Sequence, residues 1–487
     1  MNDVNPFLLT DFYKVGHVFQ YPPKTTLVYS NLTPRQSRIK GIDKMVVFGI
    51  QYFVKKYLIE YFNENFFNVP YKDILDSYKR RIKNSLGDDL PSYKHLEDLH
   101  KLGYLPIEIK ALPEGSRVSM RVPYLTIKNT LPEFFWLTNA LESLMSSVLW
   151  APSTSATIAY QYRTILNKYG NLTGIAQDFV QWQGHDFSFR GMSSPESGIA
   201  SGMGHLLSFT GTDTIAAIDG LERWYNADSD KELIGGSVAA TEHSVMSAGG
   251  VENEFDTYKR LITEVYPSGI VSIVSDTWDL WEVITDFLPR LKNDILARNG
   301  KVVIRPDSGD PILILAGNPN GKTENERKGV VELLWDVFGG TITPTGYKML
   351  DGHIGTIYGD SITTERAETI CSLLEKKGFA SQPVFGIGSF TYQYNTRDTF
   401  GTAMKCTFVE IDNVGKPVFK HPVTDDGTKF SAKGLLEVVK DEAGEFVLVD
   451  NVSWDEEKQG ELKTVFLDGK LTKDLTLSEI RATLWGN

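Results

Sequence analysis

The sequence predicts an α/β protein. It reads as an irregular α/β barrel over residues 151–395, with a second, discontinuous α+β domain built on an antiparallel sheet from residues 1–150 and 396–487. Three observations predict this. Between about residue 200 and residue 395 one unit recurs: a short apolar strand, a cluster of Gly, Asp or Ser, then a helical pattern. Such alternation implies a parallel sheet or a barrel. The flanks instead alternate apolar and polar residues across turn signals, as antiparallel strands do. Finally, 487 residues exceed one ordinary core, so at least two domains are expected.

Taken in order, LPIEIKALPEGSRVSMRVPYLTIKN (Leu105 to Asn129) predicts antiparallel pairing across a PEG turn. VSIVSD (Val271 to Asp276) leads into WDLWEVITDFLPRLK, and KVVIRPDSGD (Lys301 to Asp310) leads through a loop into GVVELLWDVFG. IGTIYGDS (Ile354 to Ser361) precedes a helix in which Ala367, Ile370, Cys371 and Leu374 share one face, and PVFGIGS (Pro383 to Ser389) follows. LLEVVKDEAGEFVLVD and LKTVFLDGKLTK read as hairpins, the second turning at Asp468-Gly469, and Thr476 to Glu479 forms a capping box.

Composition excludes several function classes. A net charge of −12, from 50 basic and 62 acidic side chains, argues against a nucleic-acid surface while permitting local basic pockets. Two cysteines, Cys371 and Cys406, cannot build a disulfide framework, which points to a reducing cytoplasm. The N-terminus MNDVNPFLLTDFYK lacks a signal-peptide pattern, and no apolar run is long enough to span a membrane.

The strand exits carry the chemistry. In a barrel they face one mouth, and here four of them present Asp276, Arg305 with Asp307, Gly359 with Asp360, and Gly386 with Gly388. A bare Arg-Pro-Asp usually ends as a surface salt bridge. On a rim of similar exits, the arginine suits a phosphate and the aspartate suits ribose hydroxyls or Mg²⁺. IYGDS and FGIGS place small residues where backbone N–H groups can approach a phosphate, although each alone is commonly a tight turn. GHDFSFRGMSS (Gly184 to Ser194) reads either as a structural loop or as an aromatic platform beside a guanidinium, suited to a flat heteroaromatic ring. In ATEHSVMSAGG (Ala240 to Gly250), Glu242 stands beside His243, placed to orient its imidazole. The eight histidines are scattered without metal-ligand spacing, which argues against zinc.

Together these motifs resemble the nicotinamide phosphoribosyltransferase family. The resemblance begins at TDFYKVGHVFQYPP and runs through LPIEIKALPEG, HDFSFRG, GTDT, SVAATEHS, VSIVSD, IRPDSG, YGDS and FGIGS to VFKHPVTDDGTKFSAKG. It implies a type II phosphoribosyltransferase fold and a homodimer with shared active sites. The implied reaction joins nicotinamide to phosphoribosyl pyrophosphate, giving nicotinamide mononucleotide and pyrophosphate. By the same resemblance Phe187 and the partner subunit's Tyr13 sandwich the ring, while Arg190 and Asp213 address the carboxamide. Arg305 and Asp307 meet the ribose and phosphates, with Ser272, Gly359, Asp360, Gly388 and Ser389 nearby. Asp276 and Asp307 hold Mg²⁺. Arg35, Arg397, Lys405, Lys420 and Lys429 reach phosphate groups. His243 is the histidine that ATP phosphorylates. Ser361, Ser389 and Ala403 depart from the family's vertebrate pattern, in which the first two are glycine and the third serine.

The implied chemistry suits the residues. Displacing pyrophosphate with a neutral pyridine nitrogen passes through an oxocarbenium-like state and needs cations on the leaving group, not a strong general base. The residues leave two rivals: a nicotinate phosphoribosyltransferase, whose acid substrate Asp213 would repel, and a non-catalytic binding protein on the same scaffold. A Schiff-base aldolase would need a lysine at one of these four strand exits, and they carry none.

Overall fold

The computed structural model describes residues 4–420 and 432–486, so Lys429 lies outside the described residues. The chain divides into two compact units, one of Met1–Thr157, Gly220–Ala227 and Asn395–Asn487, the other of Ile158–Asp219 and Asp228–Tyr394.

The second unit is a curled parallel sheet with helices between its strands. Its strands are β1 (Gly184–Asp186), β2 (Gly211–Thr212), β3 (Ala239–Ala240), β4 (Gly269–Val274), β5 (Gly300–Arg305), β6 (Ile354–Tyr358) and β7 (Val384–Ile387). They lie side by side in the order β2-β1-β7-β6-β5-β4-β3, every pairing parallel. A parallel bridge between Gly211 and Gly236 ties β2 to the segment entering β3, so the two edges approach each other, as in a barrel. Strand alternation sets what each residue faces. On β5, Val302 and Ile304 are fully buried, while Lys301, Val303 and Arg305 line an interior cavity. Helix Thr364–Lys376 buries Ala367, Ile370, Cys371 and Leu374, the face expected from their spacing.

The first unit is built on a seven-stranded sheet that draws strands from both ends of the chain, with antiparallel pairings throughout. Thr25–Thr33 sits within it, between Ala403–Ile411 and Leu125–Asn129. Both expected C-terminal hairpins form, and Asp468 and Gly469 turn the second with φ of 46° and 81°. The Leu105 to Asn129 stretch does pair antiparallel, Ile107–Ala111 against Leu125–Asn129, but the strand just after the PEG turn does not join that pairing. Arg117–Ser119 leaves its neighbour and pairs with Lys44–Val46. The cause is local: buried Glu114 accepts the N–H groups of Gly49 and Gln51 at 2.7 and 2.6 Å, and Gly115, at φ 90°, donates to Val47. The short segment Gly220–Ala227 belongs here because Tyr225 stacks on Phe48 and donates its hydroxyl to Glu114 at 3.0 Å. Among the described residues no helix is long and apolar enough to cross a membrane.

Candidate active site

All seven strands of the second unit's parallel sheet point the same way, so the loops after them share one rim. Arg305 ends β5. Its Nη2 donates to the carbonyl of Thr241 at 2.6 Å, and its Nε is buried without a hydrogen-bond partner. Burial lowers its pKa, although a guanidinium begins far above neutrality and stays charged. Two residues on, the backbone N–H of Asp307 donates to Oδ2 of Asp276 at 2.9 Å, and that of Ser308 donates to the same oxygen at 2.7 Å. Burial pushes the Asp276 carboxyl up, but the hydrogen bonds from Ser308 and Asp307 and the adjacent His243 outweigh it and hold it below the usual range.

His243 opens the short helix His243–Ser247. Its Nδ1 lies 3.1 Å from the Thr277 hydroxyl and its Nε2 lies 3.2 Å from Oδ1 of Asp307 and 3.9 Å from Oδ1 of Asp276. A carboxylate can only accept, so Nε2 carries a proton, and in the neutral imidazole Nδ1 is then the acceptor facing the Thr277 hydroxyl. Glu242 does not orient the imidazole as expected, because it accepts the hydroxyl of Ser244 instead. One ligand atom each from His243, Asp276 and Asp307 lies within 4.8 Å of the others, and Oδ1 of Asp276 is buried with no hydrogen-bond partner. Two carboxylates, one with an orphaned oxygen, fit a hard cation such as Mg²⁺.

Beside this cluster lies a cavity of about 410 Å³, mostly apolar, walled by Phe187 among other side chains. Its polar lining includes His185, Asp213, Ser237, Ser272 and Arg305. Phe187 follows β1, where its N–H donates to the carbonyl of Ile387 at 2.9 Å. Its ring fills the space over Gly386, where a Cβ would stand 2.4 Å from the ring. Asp186, fully buried, accepts the N–H of Ser188 and the hydroxyl of Thr214 and so joins the exits of β1 and β2. Asp213 lies just past β2. His185 Nε2 meets its Oδ1 at 2.9 Å, and the Ser237 hydroxyl donates to the same oxygen at 2.5 Å. Burial raises the Asp213 pKa, but the hydrogen bonds from His185 and Ser237, with the Arg305 guanidinium nearby, hold it below the ordinary range.

Ser272, expected among the phosphate residues, faces this cavity from β4, and its buried hydroxyl has no hydrogen-bond partner. Arg190 is exposed on the loop after β1, near enough to repel Arg305, and it does not line the cavity. After β6, the Gly359 N–H donates to the carbonyl of Pro306 at 3.2 Å. Ser361 adopts a left-handed φ of 56°, a conformation glycine takes without strain. Its hydroxyl offsets part of that strain by donating to Asp360 at 2.6 Å. After β7, Gly388 has open space around it, and Ser389 Oγ sits where a Cβ on Gly191 would stand 2.1 Å away.

The remaining expected residues belong to the first unit. Tyr13 is 64% exposed. Arg35, Arg397, Lys405 and Lys420 cluster: burial lowers the Lys405 pKa, and repulsion from Arg35, Lys420 and Arg397 adds to it, with Glu142 opposing. Sequence reasoning missed the roles of His185, Ser237 and Thr277. The first stands in the quoted GHDFSFRGMSS stretch, but its partners are 28 and 52 residues away.

Solved structures share this fold. Nicotinate-nucleotide pyrophosphorylase from Pyrococcus furiosus matches with a TM-score of 0.60 at 14% identity, covering 100% of this chain and 96% of that one. Human nicotinic acid phosphoribosyltransferase matches with a TM-score of 0.54 at 15% identity, covering 98% and 92%. A curled parallel sheet in one unit with an antiparallel sheet in the other is thus the type II phosphoribosyltransferase fold. Sequence narrows this class. The model of the nicotinate phosphoribosyltransferase (NAPRTase) family matches residues 182–470, and that of the nicotinamide phosphoribosyltransferase N-terminal domain matches residues 5–109. Nicotinamide phosphoribosyltransferase of Acinetobacter baylyi is 53% identical over 494 residues, 99% of this chain and 97% of the relative. Those of Mycoplasma pneumoniae and Xanthomonas campestris are 35% and 32% identical, covering 88% and 98% of this chain and 96% and 97% of the relatives. The chain belongs to the nicotinate phosphoribosyltransferase (NAPRTase) family, within the branch whose curated relatives are nicotinamide phosphoribosyltransferases.

Proposed function

We propose that this protein transfers the phosphoribosyl group of phosphoribosyl pyrophosphate to nicotinamide, giving nicotinamide mononucleotide and pyrophosphate in NAD salvage. The observation that carries the reading is one cavity in which Phe187, Asp213, Ser272 and Arg305 face the same space. A flat ring stacks on Phe187. Its carboxamide NH₂ donates to Asp213, and its carbonyl accepts from the unpartnered Ser272 hydroxyl and Arg305 Nε. The ring nitrogen forms the bond to the anomeric carbon, and the bond to pyrophosphate breaks, its electron pair leaving with the oxygen. Arg305 stabilises the charge that develops there.

Mg²⁺ is part of the reading, held by Asp276 and Asp307, and when bound it supplies positive charge to the pyrophosphate. ATP is the second part. Tied through Nε2 to Asp307, His243 presents Nδ1 as the nitrogen with a lone pair, suited to accept the γ-phosphoryl group as ADP leaves. The third is a homodimer, in which the partner subunit's Tyr13 covers the ring and the cluster of Arg35, Arg397, Lys405 and Lys420 meets phosphates. Clustered cations repel unless an anion joins them. A reducing cytoplasm completes the reading, supported by two free cysteines.

Nicotinic acid is the second substrate to weigh, because the matching family bears its name. Its carboxylate would face the negative Asp213 in a half-buried pocket, which favours the amide. The test is to follow nicotinamide mononucleotide and pyrophosphate from nicotinamide, phosphoribosyl pyrophosphate and Mg²⁺, with and without ATP. Stoichiometric product, raised by ATP, is expected, and absence of product under both conditions would sink the reading.

A further inference from the structure

The carboxylate of Asp213 is asymmetric. Both of its hydrogen bonds, from His185 Nε2 at 2.9 Å and Ser237 Oγ at 2.5 Å, end on Oδ1, and no hydrogen bond from the described residues ends on Oδ2. The two donors come from different segments: His185 lies on β1, which pairs with β2, and Ser237 follows the Gly236 that bridges to β2. Gly211 makes the approach of β2 possible, since a Cβ there would stand 2.8 Å from His185 Nδ1. His185 is nearly buried, with 9% of its side chain exposed, whereas Asp213 keeps 47%. The rigid partner therefore sets the orientation of the open one.

We propose that His185 and Ser237 are positioning residues that determine substrate specificity, by occupying Oδ1 of Asp213 and leaving Oδ2 as the acceptor offered to a carboxamide. This rests on the reading that Asp213 addresses the carboxamide. A carboxylate free to rotate would offer either oxygen and pay orientational entropy on binding. Held as it is, it presents one fixed acceptor to a donor NH₂ and one fixed negative charge to a substrate carboxylate, so both halves of the discrimination depend on the hold. His185 also touches Phe187, with ring centroids 4.8 Å apart. A packing role alone would weaken nicotinamide and nicotinic acid alike, and so would leave their ratio unmoved.

The experiment measures kcat and KM for nicotinamide and for nicotinic acid in His185→Leu, His185→Gln, Ser237→Ala, Asp213→Asn and the double variant His185→Leu/Asp213→Asn. Asp213→Asn is expected to lower the nicotinamide-to-nicotinic acid ratio of kcat/KM by at least about tenfold. His185→Leu is expected to lower it by about fivefold or more, chiefly through KM for nicotinamide, and Ser237→Ala by about threefold. His185→Gln, which keeps an N–H donor at the Nε2 position, restores the ratio to within about twofold of wild type. In the double variant the ratio equals that of Asp213→Asn alone, because the hold has nothing left to orient. Ser237 is exposed, so its variant carries the test if His185→Leu does not fold. If Asp213→Asn shifts the ratio while His185→Leu and Ser237→Ala do not, or if the double variant is additive, the positioning role is overturned. If Asp213→Asn itself leaves the ratio unchanged, the carboxamide reading beneath it fails first.

Discussion

One carboxylate oxygen of Asp276 accepts the backbone N–H of Asp307 at 2.9 Å, and the same oxygen takes the N–H of Ser308 at 2.7 Å. The exit of β4 therefore fixes the exit of β5. Arg305 is held between this turn and its 2.6 Å bond to the carbonyl of Thr241. Preorganisation of this kind lets a charge act in the transition state without moving first.

Arg305→Ala should therefore lose about 2–4 kcal/mol of transition-state stabilisation, a fall in kcat/KM of roughly 30- to 1,000-fold. Circular dichroism should show a folded protein. Near-normal turnover in that folded variant would remove Arg305 from the site.

The proposed sharing of active sites between subunits predicts complementation. Tyr13→Ala and Asp307→Ala proteins, each inactive alone, should regain about a quarter of wild-type activity after equal mixing and subunit exchange, since one site of each mixed dimer carries neither lesion. Exchange is followed by native mass spectrometry on size-tagged subunits. No recovery despite complete exchange would mean that Tyr13 serves its own subunit or none.

ATP should label His243. A phosphorylated imidazole is stable in base and labile in acid, so radioactivity from γ-labelled ATP should survive alkali and disappear on acid treatment. Thr277→Val, which removes the hydroxyl 3.1 Å from Nδ1, should change the labelling rate. Persistence of the label in His243→Ala assigns it elsewhere.

A pH effect follows from Glu254, a carboxyl only 3% exposed whose Oε1 has no hydrogen-bond partner. Burial, then repulsion from Glu282 and Asp279, pushes its pKa up to about 7. The folded state thus binds the proton more tightly than the unfolded chain. The stability this contributes is present in acid and is lost as pH rises through about 7. Glu254→Gln cannot titrate. Allowing for solvent screening, it should gain about 1–2 kcal/mol over wild type at pH 8 and little near pH 4. Urea melts at both pH values measure the difference, and equal gains at both would refute the linkage.

What the sequence disclosed follows from how far apart the cooperating residues lie. Arg305 and Asp307 are neighbours on one turn, so KVVIRPDSGD carried its own meaning, and the strand–helix alternation around it announced the parallel sheet. Helix Thr364–Lys376 buries the residues that its spacing singled out. The hold on Asp213 was hidden, because His185 and Ser237 reach it only after β1 pairs with β2 and Gly236 bridges to Gly211. Adjacency misled at His243, where the neighbouring Glu242 turned to Ser244 and Thr277 arrived from the next strand exit. It misled again at the PEG turn, where alternation gave the strand but not its partner. Buried Glu114 drew Arg117–Ser119 towards Lys44–Val46. Ser272 was assigned to phosphate by resemblance, whereas strand alternation turns it into the cavity.

The central claim is that this cavity serves nicotinamide in phosphoribosyl transfer. Its most direct test is kcat/KM of the wild-type protein for nicotinamide and for nicotinic acid, measured side by side with phosphoribosyl pyrophosphate, Mg²⁺ and ATP. The charge of Asp213 predicts a preference for nicotinamide of at least about tenfold, equivalent to ~1.4 kcal/mol. Equal use of the two, or a preference for nicotinic acid, would contradict it.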